Sequence, residues 1–258
     1  MYNLAVAKVY LSVIVPSYNE MANLQKGVLD KVKAFLDKSG KSYEVVVVDD
    51  GSIDGSVEFI KDFTKEHKEF RMIENPHMGK AGAVTTGMLK AVGKYVLFTD
   101  MDQATPIEEI DKLLPYFNED YDVVIGSRST TRKGAPLSRR LISYGNIILR
   151  KALVGLNGIS DTQCGFKAFT NKSAKDLFGR IYEIHSGFQK ITVSAVTSGF
   201  DVELLYIAQK KGYKIKEVPV RWLYVETRRV SPVHDSIEGV LDLIRIRKNA
   251  MKGSYNTS

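Results

Sequence analysis

An alternation of short apolar runs with helical patterns, through the first half of the chain, constrains the fold more than any other feature. Strands are predicted at LSVIVPSYNE, with the strand ending at Pro16, and at YEVVVVDDGS, FRMIEN, KYVLFTDMD and DVVIGSR. Helices are predicted between them, over residues 19–35, about 54–67, GKAGAVTTGMLKAV, and PIEEIDKLLPYF with Pro106 at the first helical position. This order is typical of an α/β fold with a mostly parallel central sheet flanked by helices.

Polar residues follow four of the predicted strands, at residues 17–20, 49–52, 100–102 and 127–128. In an open α/β sheet the carboxyl ends of parallel strands meet at one edge, and ligands bind outside that edge. We therefore expect these polar residues to converge on a single site.

Asp100 and Asp102 stand two residues apart at the end of a predicted strand. In an extended strand both carboxylates would point to the same side, where they can hold a hard divalent cation that bridges nucleotide phosphates. A lone Asp-x-Asp is also common as a solvated turn or helix cap, but the acidic pair Asp49 and Asp50 at the same edge favours the metal. Because Cys164 is the only cysteine, any metal would be held by oxygen or histidine.

The DDGS sequence at residues 49–52 has two interpretations. A carboxylate of Asp49 or Asp50, together with Glu20, can accept hydrogen bonds from the base N–H or ribose hydroxyl groups of a nucleoside. The same four residues also make a good turn and helix start, with Gly51 and Ser52 in the turn. Spacing alone leaves both interpretations open.

Six motifs, in order, carry a resemblance to a known family: VIVPSYNE, VVVVDDGSIDGS, GKAGAV, LFTDMDQAT, VIGSR and DTQCGFKAF. The chain resembles the family 2 glycosyltransferases of the GT-A fold, a nucleotide-sugar-binding fold, over roughly residues 11–250. Within that family it is most similar to the dolichyl- or polyprenyl-phosphate hexose synthases, both glucosyl and mannosyl.

The resemblance assigns roles to the matching residues. It implies that the nucleotide sugar is bound by Pro16, Tyr18, Glu20, Asp49, Asp50, Gly79, Lys80, Asp100, Met101, Gln163 and Arg229. It also implies that Asp100 and Asp102 bind Mg²⁺ or Mn²⁺, that Arg128 and Arg139 bind the acceptor phosphate, and that Asp102, Arg128 and Asp161 are catalytic. Asp161 is then a candidate base or sugar-positioning residue, although a phosphate acceptor is largely ionised near neutral pH and needs little base catalysis.

The implied activity is that of an inverting transferase that moves a hexose from UDP-glucose or GDP-mannose to a polyprenyl or dolichyl phosphate. Many mannosyl members have a glutamine two residues after the second metal aspartate, where this chain has Ala104, and this departure favours glucose. An alternative is a family 2 transferase acting on a polysaccharide or protein, which DTQCGFKAF and a basic segment at residues 129–158 disfavour.

The net charge of +7 would also suit a nucleic-acid-binding protein. The sequence holds no recognised nucleic-acid-binding motif, and the acidic strand ends would repel a phosphate backbone. We therefore expect an anionic partner that is a lipid surface or a phosphorylated substrate, and no nucleic acid.

Two amphipathic segments could contact a membrane surface or pack on the core. Residues 129–158 hold basic residues around an apolar series, typical of a segment in a lipid interface or of a helix packed on the core. A catalytic domain over residues 1–230 should precede an amphipathic helix over residues 231–250, capped by Ser231, with Ile237, Val240, Leu241 and Ile244 on one face packed on the domain. No run reaches the roughly 20 apolar residues of a spanning helix, so we expect a cytoplasmic protein held peripherally at the cytosolic face of a membrane or by a membrane partner.

Overall fold

The computed structural model describes residues 9–128, 149, 151–186, 188, 199–223 and 232–255, the last range with side chains from residue 239 onward. Within these ranges the strands are β1 Leu11–Ser17, β2 Tyr43–Asp49, β3 Phe70–Glu74, β4 Tyr95–Thr99, β5 Val123–Ser127, β6 Phe166–Thr170 and β7 Ile215–Pro219. The helices are α1 Met21–Leu24, α2 Val28–Lys38, α3 Ser56–Glu66, α4 Gly79–Lys90, α5 Ile110–Leu113, α6 Asn171–Ile184, α7 Phe200–Lys210 and α8 Pro232–Met251.

The seven strands form one mixed sheet in the order β3-β2-β1-β4-β6-β5-β7. Strand β6 runs antiparallel to both β4 and β5, and every other pairing is parallel. The prediction of a mostly parallel α/β sheet is therefore confirmed. Because β1, β2, β4 and β5 all run in one direction, their carboxyl ends share the edge at which the polar residues were expected to converge.

Helices cover both faces of the sheet, and alternate side chains of each central strand enter a different core. Val46 and Val48 of β2 pack with α4, α6, α7 and α8, whereas Val45 and Val47 pack with α1, α2, α3 and α5. All four valines are fully buried, and burying each contributes about 1.5–3 kcal/mol. Gly87 lets α4 approach β1 closely, since a Cβ there would lie 2.3 Å from Cγ2 of Ile14.

Two segments that were predicted to be single helices are divided in the structure. The helix predicted over residues 19–35 is two helices, α1 and α2, because Gly27 between them has a left-handed φ of 70°. The helix predicted over PIEEIDKLLPYF is the four-residue α5 between two 3₁₀ segments, Ile107–Glu109 and Leu114–Glu119. Pro115 lacks an N–H donor and so cannot continue the α-helical hydrogen bonds, and Pro106 precedes the helical residues with an extended ψ of 145°.

Helix α8 begins at Pro232, as predicted, but packs through a different face. Leu243 and Ile246 enter the core, whereas Leu241 and Ile244, which were predicted to pack, are 60% and 39% exposed. Apolar residues stand on both sides of this helix, so the sequence pattern could not show which side meets the domain. Ser231 and the Ile237 side chain lie outside the described residues.

Of the basic segment at residues 129–158, the structure describes residues 149 and 151–158. In that part Leu149, Leu153 and Val154 pack against the core. Across the described part of the chain, no helix has the length and apolar character needed to cross a membrane.

Candidate active site

The loop after β2 is organised by the carboxylate of Asp49. Its Oδ2 accepts hydrogen bonds from the backbone N–H groups of Gly51 and Ser52, both at 3.0 Å, and its Oδ1 accepts one from Ser52 Oγ at 2.5 Å. Gly51 has a φ of 85°, which a side chain would oppose. This geometry is the turn predicted for DDGS, and the nucleoside-binding role of Asp49 stays a prediction.

Asp50 joins the same loop to the beginning of α4. Its Oδ1 accepts a hydrogen bond from the N–H of Met78 and its Oδ2 accepts one from the N–H of Gly79, both at 2.7 Å, and the His77 ring nitrogen Nδ1 lies 3.0 Å from Oδ2. A carboxylate at a helix N-terminus is favourable because of the helix dipole. Burial nevertheless raises the pKa of Asp50 above its ordinary value.

The end of β1 brings further predicted residues to this loop. Pro16 pairs with Val48 in the sheet, and the Tyr18 ring stacks on His77 with centroids 4.4 Å apart. The Glu20 carboxylate accepts a hydrogen bond from the Asn23 side chain at 2.6 Å. His77 was not identified from the sequence, although it stands two residues before the GKAGAV motif.

Strand β4 ends at Thr99, and Asp100 and Asp102 lie in the turn that follows it. The prediction that both carboxylates project from an extended strand is therefore wrong. Asp102 Oδ1 accepts a hydrogen bond from the N–H of Ala104 at 2.9 Å, and Met101 between the two aspartates is buried. Burial and the nearby charge of Asp100 raise the pKa of Asp102.

Two neighbouring residues shape the environment of the Asp100 carboxylate. Lys80 Nζ lies 2.5 Å from Asp100 Oδ1, which brings the beginning of α4 to the end of β4. A Cβ on Gly165 would lie 2.1 Å from Asp100 Oδ2, so the absence of a side chain at Gly165 leaves room for this carboxylate.

The carboxylates of Asp100 and Asp102 fit a hard divalent cation. They supply the oxygen donors that Mg²⁺ and Mn²⁺ prefer, and a cation would relieve the repulsion that raises the pKa of Asp102. Among the described residues no group of three or more histidine, cysteine, aspartate or glutamate side chains is arranged to hold a metal ion. Mg²⁺ that binds together with a nucleotide is usually held by one or two protein carboxylates and by the phosphates of the substrate.

Arg128 and Asp161 form a bidentate ion pair at the end of β5. Arg128 Nε and Nη2 donate to Asp161 Oδ2 and Oδ1, each at 2.8 Å. The backbone N–H of Arg128 also donates to Asp161 Oδ2, at 2.9 Å. Burial would raise the pKa of Asp161, but the hydrogen bonds and the charge of Arg128 outweigh it and lower that pKa to about 2. Asp161 is therefore ionised near neutral pH and is a weak proton acceptor.

Lys167 is a fully buried charge on β6. Its Nζ donates to the Cys164 carbonyl oxygen at 2.5 Å and to the Asp201 carboxylate, and lies 5.2 Å from the centre of the Phe98 ring. Asp201, in the first turn of α7, was not identified from the sequence. The sequence FKAFT did indicate such a partner, because a lysine in an otherwise apolar strand needs a buried anion to pair with.

A cleft at this edge is lined by Asp100, Arg128, Gln163 and Trp222. Cys164 borders the cleft, and burial raises the pKa of its thiol, which disfavours a thiolate nucleophile. The structure thus brings together the predicted residues of the donor, metal and acceptor sides at one sheet edge. The other two predicted residues, Arg139 and Arg229, lie outside the described residues.

Comparison with known proteins agrees with this geometry. The fold is that of mannosyl-3-phosphoglycerate synthase from Rubrobacter xylanophilus, with a TM-score of 0.64 at 15% identity over 95% of this chain and 75% of that one. The mannosyltransferase PcManGT from Pyrobaculum calidifontis, solved with GDP-Man and Mn²⁺, gives a TM-score of 0.51 at 18% identity over 98% of this chain and 77% of that one. These similarities confirm the GT-A fold.

Sequence relatives decide the family. The dolichyl-phosphate beta-glucosyltransferase of Dictyostelium discoideum is 33% identical over 96% of this chain and 76% of its own length. Residues 12–178 match the family described as Glycosyl transferase family 2. The chain is a glycosyltransferase and belongs to glycosyl transferase family 2.

Proposed function

We propose that the chain transfers glucose from UDP-glucose to dolichyl or polyprenyl phosphate with inversion at the anomeric carbon. The observation that carries the proposal is that Asp100 and Arg128 line the same cleft. The Asp100 carboxylate suits a metal-bound diphosphate, and the Arg128 guanidinium suits an attacking phosphate. The name of the Dictyostelium relative, a dolichyl-phosphate beta-glucosyltransferase, supports this choice of sugar and acceptor.

On the donor side, the nucleoside would lie against Tyr18, Glu20 and the loop of Asp49 and Asp50. Mg²⁺ or Mn²⁺ held by Asp100 and Asp102 would neutralise the charge that develops on the leaving diphosphate. The Mn²⁺ in PcManGT supports a divalent cofactor. Lys80, in contact with Asp100, adds positive charge beside the same phosphates, and Gln163 and Met101 complete the donor side.

On the acceptor side, Arg128 would bind and orient the lipid phosphate. A guanidinium suits this task because its planar set of five N–H donors matches phosphate oxygens. Asp161 fixes the orientation of Arg128 through the two hydrogen bonds at 2.8 Å. We therefore infer that Asp161 is a positioning residue, and that the ionised acceptor phosphate attacks without a general base.

A lipid acceptor requires that the cleft reach a membrane surface. The outer face of α8 supports peripheral contact, since it exposes Leu241, Ile244 and Met251 together with Arg247 and Lys248. We infer a catalytic domain over residues 1–230 followed by this helix over residues 231–250, placed at the cytosolic face of a membrane. Arg139, in the basic segment, is proposed as a second contact to the acceptor phosphate.

The function is tested by following radiolabelled hexose from UDP-glucose and from GDP-mannose, in parallel, to a short polyprenyl phosphate with Mg²⁺ or Mn²⁺. We expect labelled lipid from UDP-glucose, and we expect EDTA or Asp102→Asn to abolish it. Asp62→Asn is the matched control, because Asp62 is an exposed aspartate paired with Lys65 on α3. Labelling from GDP-mannose alone would replace glucose by mannose, and labelling of a polysaccharide or protein instead of lipid would refute the acceptor assignment.

A further inference from the structure

Trp222 lines the cleft between Asp100 and Arg128. It was not among the residues identified from sequence motifs. We propose that the Trp222 indole packs against the hexose of the nucleotide-sugar donor and helps to determine which hexose is accepted. The inference rests on the proposed function, because it requires that the donor diphosphate and the acceptor phosphate both bind at this cleft.

The backbone on both sides of Trp222 is held by the segment that follows Asp100 and Asp102. The N–H of Arg221 donates to Glu109 Oε2 at 2.9 Å, and the N–H of Leu223 donates to the Ala104 carbonyl oxygen at 2.7 Å. Glu109 is buried and is also bonded to Lys112 at 2.5 Å. These hydrogen bonds fix the backbone, and a tryptophan side chain has only two torsion angles to fix, so ligand binding costs little conformational entropy.

The position of the indole matches the place of the transferred sugar. In a direct displacement the hexose must lie between its leaving diphosphate and the attacking phosphate. The Arg128 guanidinium carbon lies over the Trp222 ring, 6.0 Å from its centre, and Asp100 lines the same cleft.

The chemistry of the lining also fits a hexose. A glucose ring carries its non-anomeric substituents in equatorial positions, so its two faces present axial C–H groups that pack well on an aromatic ring. Gln163, in the same cleft, offers an amide that can donate to and accept from sugar hydroxyls. An epimer with an axial hydroxyl, such as the C4 hydroxyl of galactose, places a polar group on one of those faces and should pack less well.

The chain contains a single tryptophan, so its fluorescence reports on Trp222 directly. Acrylamide quenching of the full chain would be measured with Mg²⁺ alone, with saturating UDP and with saturating UDP-glucose, and binding of both ligands would be measured by calorimetry. We expect UDP-glucose to lower the quenching constant at least about twofold relative to UDP, because the sugar covers the ring. UDP-galactose should protect the indole less.

Variants separate the indole contact from a structural effect. Trp222→Ala should weaken UDP-glucose binding relative to UDP by about 2- to 12-fold, the range for an aromatic contact, while UDP binding is unchanged. Trp222→Phe should retain most of the difference. Tyr182→Ala, which removes an aromatic residue that is 47% exposed on α6, is the matched control and should change neither affinity.

Different results would refute the Trp222 contact and the proposed glucosyl transfer. If UDP-glucose binds and is transferred to lipid, but quenching is the same as with UDP, the Trp222 contact is refuted and the proposed function stands. Equal losses of UDP and UDP-glucose affinity in Trp222→Ala would likewise refute it. If UDP-glucose does not bind, both the function and the contact are refuted.

Discussion

Replacing Asp161 with asparagine should destabilise the protein in a pH-dependent way. A pKa of about 2 in the folded state, against an ordinary aspartate value near 3.9, corresponds to about 2.5 kcal/mol of folding free energy at neutral pH. The lowered pKa means that this stabilisation is fully present above the unfolded-state pKa and is lost as the pH falls towards 2. Asp161→Asn should therefore lower the free energy of unfolding at pH 7 by about 2.5 kcal/mol.

The assay is chemical denaturation of wild type and Asp161→Asn at several pH values between 7 and 3. The difference between the two proteins should begin to shrink below about pH 4.5, and about half of it should be gone by pH 3. Asp176→Asn is the comparison variant. Burial would raise the pKa of Asp176, but hydrogen bonds from Lys211 and Tyr213 outweigh it and lower this pKa as well. Its side chain is 34% exposed, however, so its pH-dependent difference should be smaller. A difference for Asp161→Asn that is absent at pH 7, or constant down to pH 3, would refute the reasoning.

The same variant separates a positioning role from a base role. If Asp161 orients Arg128, Asp161→Asn should lower kcat/KM for the lipid phosphate by at least about tenfold, without changing the shape of the pH–rate profile between pH 5 and 9. A general base would instead contribute a limb to that profile, and the variant would lose it. Asp176→Asn should leave transfer unchanged.

Further predictions concern Gly165 and Thr170. Gly165→Ala should displace the Asp100 carboxylate, since a Cβ would lie 2.1 Å from it, and should weaken Mn²⁺ binding, measured by electron paramagnetic resonance; unchanged binding would contradict this. Gly179→Ala is its control, because a Cβ there meets nothing within 4 Å and should stabilise α6 by about 0.5–1 kcal/mol in thermal unfolding. Thr170→Ala should cost about 1 kcal/mol, because the Thr170 hydroxyl caps α6 by accepting from the Ser173 N–H; a cost below about 0.3 kcal/mol would contradict it.

Strands β1, β2, β4 and β5 could be predicted from the sequence because both of their faces are covered. Strands buried on both faces read as continuous apolar runs, such as Val45–Val48 of β2, and the polar residue after each run marks the edge. The helices between them were harder to delimit. A single glycine at residue 27 and a proline at residue 115 divide segments whose overall pattern is helical.

The second half of the sheet could not be predicted in the same way. Strand β6 has Lys167 as its second residue, and its antiparallel place between β4 and β5 depends on partners far away in the chain. Strand β7 is only partly buried, so its sequence does not read as a core strand. Neither strand has the continuous apolar run that identified β1, β2, β4 and β5.

In the candidate site, too, positions could be predicted from the local sequence, whereas contacts between distant residues could not. The sequence could place Asp100, Asp102 and Arg128 at one sheet edge because strand direction alone determines that edge. It could not show that Asp161 would pair with Arg128, or Lys80 with Asp100, since each contact joins residues from separate elements.

The central claim is that glucose moves with inversion from a nucleotide sugar to a lipid phosphate. The most direct test is to incubate the chain with UDP-glucose, Mg²⁺ and a short dolichyl phosphate, and to determine the mass and anomeric configuration of the lipid product by mass spectrometry and NMR. The account predicts a single β-linked glucosyl phosphate. An α-linked product, or release of free glucose with the lipid phosphate unchanged, would contradict it.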